Sequence, residues 1–140
     1  MKRLLFNNLI TIFLLLFSTI AFAQRQVAIT IDDVPNTIKY QQDKFVPILL
    51  NKLNSLNVPI TIFINEGNIF KTDSVEKNFS LLSKWVKSNF ITIGNHTYSH
   101  PKYSEVGLDS FKKNIIKGEC IIRELAKTYN KPLSYFRFPY

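Results

Sequence analysis

Residues 58–66 read VPITIFINE, and this stretch decides how the chain folds. Ile60–Ile64 is a short run of β-branched and aromatic residues, with Pro59 before it and two polar residues after it. Such a run is typical of a strand, and a proline is tolerated at its entry. We therefore predict a strand over Ile60–Ile64 with polar side chains at its carboxyl end.

Similar short runs lie on both sides of this strand and alternate with longer helical patterns. Further strands are predicted at residues 27–31, 90–93 and 134–136, and helices at about 43–56, 75–88 and 108–129. Strand starts about thirty to forty residues apart are typical of right-handed β-α-β crossovers. The predicted fold class is α/β, with a parallel sheet of about four strands and three helices.

The first 23 residues form a segment of a different kind. Lys2 and Arg3 precede an apolar run, and Ala21-Phe22-Ala23 gives an A-x-A cleavage signal before Gln24. The run is short for a membrane-spanning helix, which needs ~20 apolar residues, so an uncleaved anchor is the less favoured alternative. We predict a signal peptide over residues 1–23, export to the periplasm or the extracellular space, and no stable membrane insertion after cleavage.

Charge and cysteine content limit which partners and which covalent or metal links are expected for the remaining domain, residues 24–140. The net charge of +8 falls to +6 without Lys2 and Arg3, and no basic cluster is present, so nucleic acid is a disfavoured partner for an exported protein. Cys120 is the only cysteine, which excludes an internal disulfide and a thiolate metal cluster. Its position beside Ile121 on a predicted helix favours a small, buried side chain.

Polar residues follow each predicted strand. They are Asp32 and Asp33 after the first strand, Asn65 and Glu66 after the second, residues 95–100 after the third and Arg137 after the fourth. In parallel β/α folds, catalytic and binding groups gather where the carboxyl ends of the strands meet. Four separate segments are therefore expected to bring polar side chains to one rim.

The two histidines of the chain, His96 and His100, are four residues apart. In a helical turn this spacing places both imidazoles on one face, as metal chelation requires, although an isolated pair is more often a coincidence. Asp32 and Asp33 would repel each other unless a cation intervened, but a simple turn also explains that pair. Their common rim favours a metal site. Arg137 is either an ordinary surface residue or the partner of a carboxylate.

Three motifs resemble those of one known family. They are Thr30-Ile31-Asp32-Asp33, NHTYSHP at residues 95–101 and FRFPY at residues 136–140, and VPITIFIN at residues 58–65 resembles the family's second strand. The family is the polysaccharide deacetylases, the NodB homology domain of carbohydrate esterase family four, and the similarity spans residues 27–140. The resemblance implies a deformed (β/α) barrel, of which the chain would form an incomplete part.

The resemblance also implies a role for each motif residue. The implied ligands of a divalent metal, commonly zinc with cobalt or nickel as alternatives, are Asp33, His96 and His100. Asp32 would be the general base, and Arg137 would orient it. The backbone N–H of Tyr140 would help to hold the oxyanion. The expected reaction is the hydrolytic removal of acetyl groups from a carbohydrate polymer such as peptidoglycan or a chitin-type glycan. N-acetyl groups are the main expected target.

Two departures from the family pattern qualify that expectation. Val34 stands where the family usually has glycine, and valine disfavours a positive φ. The family's acid histidine lies in a later motif, whereas His96 and His100 are both assigned to the metal. We therefore expect these 140 residues to be a fragment of a longer enzyme. A noncatalytic remnant that binds metal or glycan is the alternative, as is an esterase acting on O-acetyl groups.

Overall fold

The computed structural model describes residues 26–35 and 42–140, and within the first helix it describes side chains from residue 48 onward. The predicted signal peptide at residues 1–23 lies outside the described residues. Among the helices of the described part, none combines the length and the apolar character needed to cross a bilayer.

Four parallel strands form one sheet in the order in which they occur in the chain. They are β1 (Ile29–Val34), β2 (Ile60–Ile64), β3 (Ile91–Asn95) and β4 (Leu133–Phe136). In the register, Ile62 pairs with Ile31 on one side and with Ile93 on the other. The sheet is open, with β1 and β4 at its edges. The predicted α/β class with a four-stranded parallel sheet is confirmed.

The helices follow the predicted rhythm with one difference. They are α1 (Gln42–Ser55), α2 (Val75–Lys87), α3 (Tyr103–Lys117) and α4 (Cys120–Thr128), with a short 3₁₀ helix at Glu66–Phe70. The single helix predicted over residues 108–129 is wrong, because the chain breaks at Gly118 and Glu119 and restarts as α4. A second interruption lies inside α3 at Gly107, where φ is 72°.

The hydrophobic core lies between the sheet and the helices that cover one of its faces. Ile62, Ile64 and Ile93 are fully buried from the sheet side, and Trp85 of α2 is 2% exposed. Burial of each side chain of this size contributes about 1.5–3 kcal/mol. Because strand side chains alternate, Phe63 lies on the opposite face of the sheet from Ile62 and Ile64. On that face its ring contacts Arg137, one of the polar residues of the rim.

The break at Gly118 explains why the burial predicted for Cys120 is wrong. A Cβ on Gly118 would lie 2.6 Å from the carbonyl carbon of Thr97 and 2.7 Å from the nitrogen of Tyr98. The helix therefore approaches the loop after β3. Cys120 is exposed because α4 restarts with Ile122 facing the core, and two residues of helix turn a side chain about 200° away.

Glu66 carries a buried carboxylate that caps α4. Its side chain is 1% exposed, and Oε1 accepts a hydrogen bond of 2.7 Å from the backbone N–H of Ile122 in the first turn of that helix. Burial raises the pKa of Glu66 above its ordinary value, although the backbone N–H groups of Ile122 and Ile121 oppose the shift. The expectation that Glu66 joins Asn65 on the rim is wrong, since its carboxylate is used by the helix.

We expect the contribution of Glu66 to stability to fall as pH rises above 4.5, its ordinary pKa. The folded protein keeps the proton to a higher pH than the unfolded chain, so raising the pH favours the unfolded chain. Glutamine retains an oxygen for the Ile122 N–H and does not ionise. In urea unfolding between pH 4 and pH 8, Glu66→Gln should therefore gain stability relative to wild type as pH rises.

The exposed Glu124 on the same helix provides the matched control. Glu124→Gln removes the same charge from α4 without changing a buried group, so its stability relative to wild type should vary little with pH. If Glu66→Gln instead loses stability relative to wild type as pH rises, the assignment of Glu66 as a carboxyl whose burial opposes ionisation is wrong.

Candidate active site

The two aspartates lie at a bulge near the end of β1. Ile31 pairs with Ile62 and Val34 with Ile64, so Asp32 and Asp33 together oppose a single residue of β2. Asp33 adopts a positive φ of 59°, and its carbonyl oxygen accepts a 2.9 Å hydrogen bond from Nδ2 of Asn68. A bulge re-aims side chains that would otherwise point to opposite faces. Both carboxylates can therefore serve the same rim.

Val34 does not take up the positive φ that a glycine there would permit. The left-handed residue is Asp33, and Val34 is buried in the hydrophobic core while its carbonyl oxygen accepts a 3.0 Å hydrogen bond from the backbone N–H of Asn65. Aspartate tolerates this backbone region better than a β-branched residue does. The departure at Val34 is thus accommodated by packing.

The histidines lie on an irregular loop between β3 and α3. His96 follows the last residue of β3, and α3 begins only at Tyr103, so the helical turn inferred from the spacing is wrong. Positive φ angles of 67° at Thr97 and 57° at His100 bend the loop instead. The imidazole rings meet edge to face with centroids 4.8 Å apart. Each such backbone conformation costs about 1–3 kcal/mol, which neighbouring contacts must offset.

Asp33, His96 and His100 bring three potential ligand atoms together. Asp33 Oδ1 lies 3.9 Å from His96 Nε2 and 3.7 Å from His100 Nε2, and the three atoms lie within 4.8 Å of one another. Both distances are too long for a hydrogen bond. They are close to the ~3.3 Å between two ligands of a tetrahedral ion with bonds of about 2.05 Å. This donor set fits a divalent metal with an open position for water or substrate.

A second contact of His96 fixes which ring nitrogen faces the cluster. Its Nδ1 donates a 2.9 Å hydrogen bond to the carbonyl oxygen of Arg137, and a carbonyl oxygen can only accept. Nδ1 therefore carries a proton, and Nε2 is the ring nitrogen that faces Asp33 and is placed to act as the ligand atom. Metal-binding histidines are commonly oriented in this way by a carbonyl or carboxylate on the other ring nitrogen.

Asp32 precedes Asp33 in the chain and pairs with Arg137, the residue whose carbonyl oxygen contacts His96. Nη1 of Arg137 donates to Asp32 Oδ1 at 2.7 Å and to Thr30 Oγ1 at 2.9 Å. The guanidinium carbon lies 4.1 Å from the centroid of the Phe63 ring. That ring occupies space next to Gly94, where a Cβ would come within 2.7 Å of it. The cation is thus held by stacking on one side and by the carboxylate on the other.

Two asparagines hold the loop between β3 and α3 that carries both histidines. Sequence reasoning did not identify this role for them. With its amide oriented to satisfy both neighbours, Asn65 donates to the Tyr98 carbonyl at 2.6 Å and accepts from the His100 N–H at 3.1 Å. Asn95 accepts from the Thr97 N–H at 2.6 Å and donates to the Ile115 carbonyl on α3 at 3.0 Å. The sequence feature that could have indicated this role is their position directly at the carboxyl ends of β2 and β3.

The structure places Tyr140 beside the cluster. Its ring packs edge to face against His100 with centroids 4.8 Å apart, and its φ is 65°. The six residues to which the resemblance gives a role therefore lie on one rim: Asp32, Asp33, His96, His100, Arg137 and Tyr140. The role of the Tyr140 backbone N–H stays a prediction.

Comparisons with known proteins agree with this arrangement. The sequence profile described as "Polysaccharide deacetylase" matches residues 20–140. A peptidoglycan-N-acetylglucosamine deacetylase of Bacillus cereus is 34% identical over 105 residues, which are 75% of this chain and 34% of that protein. The chain thus spans about a third of the length of this curated relative.

Solved structures show the same fold. A crystal structure of a peptidoglycan N-acetylglucosamine deacetylase matches 74% of this chain and 42% of its own, with a TM-score of 0.58 and 34% identity. A carbohydrate esterase family 4 pseudoenzyme from Bacillus anthracis matches 84% of this chain and 36% of its own, with a TM-score of 0.61 and 20% identity. The second likeness concerns the fold alone. With the profile match over most of its length, the chain belongs to the polysaccharide deacetylase family.

Proposed function

We propose that the protein is a metal-dependent hydrolase that removes acetyl groups, most of all N-acetyl groups, from a carbohydrate polymer. One observation carries the proposal: Arg137 binds the Asp32 carboxylate through its guanidinium and orients His96 through its carbonyl oxygen. Arg137 thereby links Asp32 to the cluster of Asp33, His96 and His100. Metal binding alone requires no such second carboxylate. A hydrolase that activates water requires a base at this position.

Each residue of the rim has a defined task in this proposal. Asp33, His96 and His100 hold a divalent metal, for which zinc fits the donor set and cobalt or nickel are alternatives. When bound, the metal supplies Lewis acidity toward the acetyl carbonyl and lowers the pKa of a water molecule. Asp32 accepts the proton of the attacking water, Arg137 keeps Asp32 in place, and the Tyr140 N–H donates to the developing oxyanion.

The substrate class follows from the family and from the names of the relatives. The Bacillus cereus relative is a peptidoglycan-N-acetylglucosamine deacetylase. We infer a polymer containing N-acetylglucosamine, such as peptidoglycan or a chitin-type glycan, as the substrate of the whole protein. The bond broken is then a carbon–nitrogen bond outside a peptide, and the products are acetate and a free amine.

Such a substrate calls for export, which we also propose. The support is the sequence pattern of residues 1–23, in which a basic start, an apolar run and an A-x-A signal follow one another. Peptidoglycan and related polymers lie outside the cytoplasmic membrane. The periplasm and the extracellular space both fit this location.

A noncatalytic metal- or glycan-binding protein is the second candidate. The leaving amine must be protonated by an acid, and the two histidines of these 140 residues both belong to the metal cluster. Among the described residues, no further histidine can supply that proton. An enzyme therefore needs another acid for this step, whereas a binding protein does not.

Metal removal tests the proposal directly. Acetate release from N-acetylglucosamine oligomers should be measured on the whole protein before dialysis against a chelator, after dialysis, and after zinc is restored. We expect release to fall to background without metal and to return with zinc, since both water activation and carbonyl polarisation depend on the ion. Chelator given together with excess zinc is the control for effects of the chelator itself.

Two outcomes would contradict the proposal in different ways. Undiminished acetate release from the stripped protein would show that hydrolysis does not use the metal. Stoichiometric zinc binding without acetate release from N- or O-acetylated oligomers would favour the noncatalytic alternative.

A further inference from the structure

The loop that carries both histidines is held from the outside by one residue of α3. Oδ1 of Asn114 accepts hydrogen bonds from the backbone N–H of Tyr98 at 2.9 Å and of Ser99 at 3.0 Å. Its Nδ2 donates to Ser99 Oγ at 2.8 Å. A single side chain thus engages both residues immediately before His100.

The backbone conformation of the loop makes the hydrogen bonds to Asn114 important for the position of His100. The two residues that Asn114 holds lie between Thr97 and His100, which both adopt positive φ angles. Thr97 is β-branched, so its left-handed conformation is especially unfavourable. The Tyr98 N–H also donates to the Asn114 backbone carbonyl at 3.1 Å, and that bond does not need the side chain. Loss of the side chain therefore frees mainly Ser99, and the loop can then relax toward ordinary backbone angles and carry the His100 imidazole away from Asp33.

Other contacts show that Asn114 acts mainly on the part of the loop next to His100. His96 is 2% exposed and its ring is oriented by the Arg137 carbonyl, whereas His100 is more exposed. Asn65 holds the loop from the β2 side. Asn114 is the described residue whose side chain holds the Ser99 backbone from the helix side. His100 is therefore the ligand whose position depends most on Asn114.

We propose that Asn114 is a positioning residue that sets the metal affinity of the site by holding Tyr98 and Ser99, and through them His100. The inference rests on the proposed metal site. Asn114 touches neither a ligand atom nor the reacting groups, so it acts through the loop. Outer-shell partners of metal ligands typically change metal affinity by 10–100-fold when they are removed.

Substitutions at Asn114 can separate positioning from folding. Asn114 lies within α3, where alanine is a better helix former, so Asn114→Ala should leave the helix itself intact. Asn114→Asp keeps oxygens that accept from both backbone N–H groups and from the Ser99 hydroxyl. The neighbouring exposed Lys113 gives the matched control, Lys113→Ala, on the same helix.

The experiment measures Zn²⁺ affinity by competition with a chromophoric chelator, the visible absorption of the Co²⁺-loaded protein, and thermal stability without metal. We expect Asn114→Ala to weaken Zn²⁺ binding by about 10–100-fold and to alter the Co²⁺ spectrum. Its metal-free melting temperature should remain close to that of wild type. Asn114→Asp should recover most of the lost affinity, and Lys113→Ala should bind like wild type.

The outcomes distinguish this inference from the proposed function. A wild-type protein that binds neither Zn²⁺ nor Co²⁺ would overturn the metal site and, with it, the role of Asn114. Wild-type binding that Asn114→Ala leaves unchanged would overturn only the positioning role. Loss of affinity together with a matching loss of metal-free stability, without recovery in Asn114→Asp, would show a general structural role and would also overturn the inference.

Discussion

Acetate release should fall by about 10²–10⁴-fold when Asp32 is replaced by asparagine, the range that loss of a general base typically produces. Asparagine keeps the shape of the side chain and an oxygen for the Arg137 guanidinium, which donates to Asp32 Oδ1 at 2.7 Å. It cannot take a proton from water. Zinc affinity should change little, since Asp33 and the histidines supply the ligands. Initial rates on N-acetylglucosamine oligomers and a zinc titration measure the two effects separately.

Asp109 on α3 is exposed and provides the control for loss of one carboxylate charge. Asp109→Asn should keep the rate and the zinc affinity of wild type. A large loss of zinc affinity in Asp32→Asn would show that Asp32 is a ligand. Full activity in Asp32→Asn would show that another group removes the proton of water.

His96→Ala should abolish the stabilisation that zinc gives to the protein and lower acetate release by more than about 100-fold, which exceeds the loss typical of an outer-shell partner. His96 is the most buried of the three proposed ligands, and its orientation is set by the Arg137 carbonyl. Zinc at one hundred times its Kd should raise the free energy of unfolding of wild type by about 2.7 kcal/mol. Urea unfolding with and without zinc measures this difference.

The Asp32→Asn variant serves as the control in the same experiment, because it should keep the stabilisation by zinc while losing activity. Comparing each variant with its own metal-free form removes the cost of truncating a buried imidazole. If zinc stabilises His96→Ala as much as wild type, His96 is not a ligand and the metal site is wrong.

The strand and helix rhythm of this chain follows from local patterns. Ile60–Ile64 and the helix around Trp85 lie where the spacing of apolar residues predicts them. The reason is that periodicities of two and 3.6 residues set which side chains can share a buried face. Parallel pairing then brings Asp32, His96 and Arg137 to the same edge of the sheet, so their common location was also predictable.

Local patterns failed where tertiary contacts outweigh them. The apolar stripe through residues 108–129 continues across Gly118, but a continuous helix is replaced by α3 and α4, with Gly118 against the Thr97 backbone. The burial predicted for Cys120 failed for the same reason. Glu66 looked like a rim residue, whereas the start of α4 supplies the Ile122 N–H that binds its carboxylate.

The amino-acid sequence determined the fold class and, apart from Glu66, the residues of the rim and their chemical types, because these depend on residue spacing and on strand order. The conformation of the site depends on groups distant in the chain. The bulge at Asp33 depends on pairing with β2, and the left-handed angles at Thr97 and His100 are held by hydrogen bonds that the loop N–H groups donate to Asn65, Asn95 and Asn114. Strain of this kind persists only when neighbouring elements offset it, so three-dimensional packing decides how the ligand atoms converge.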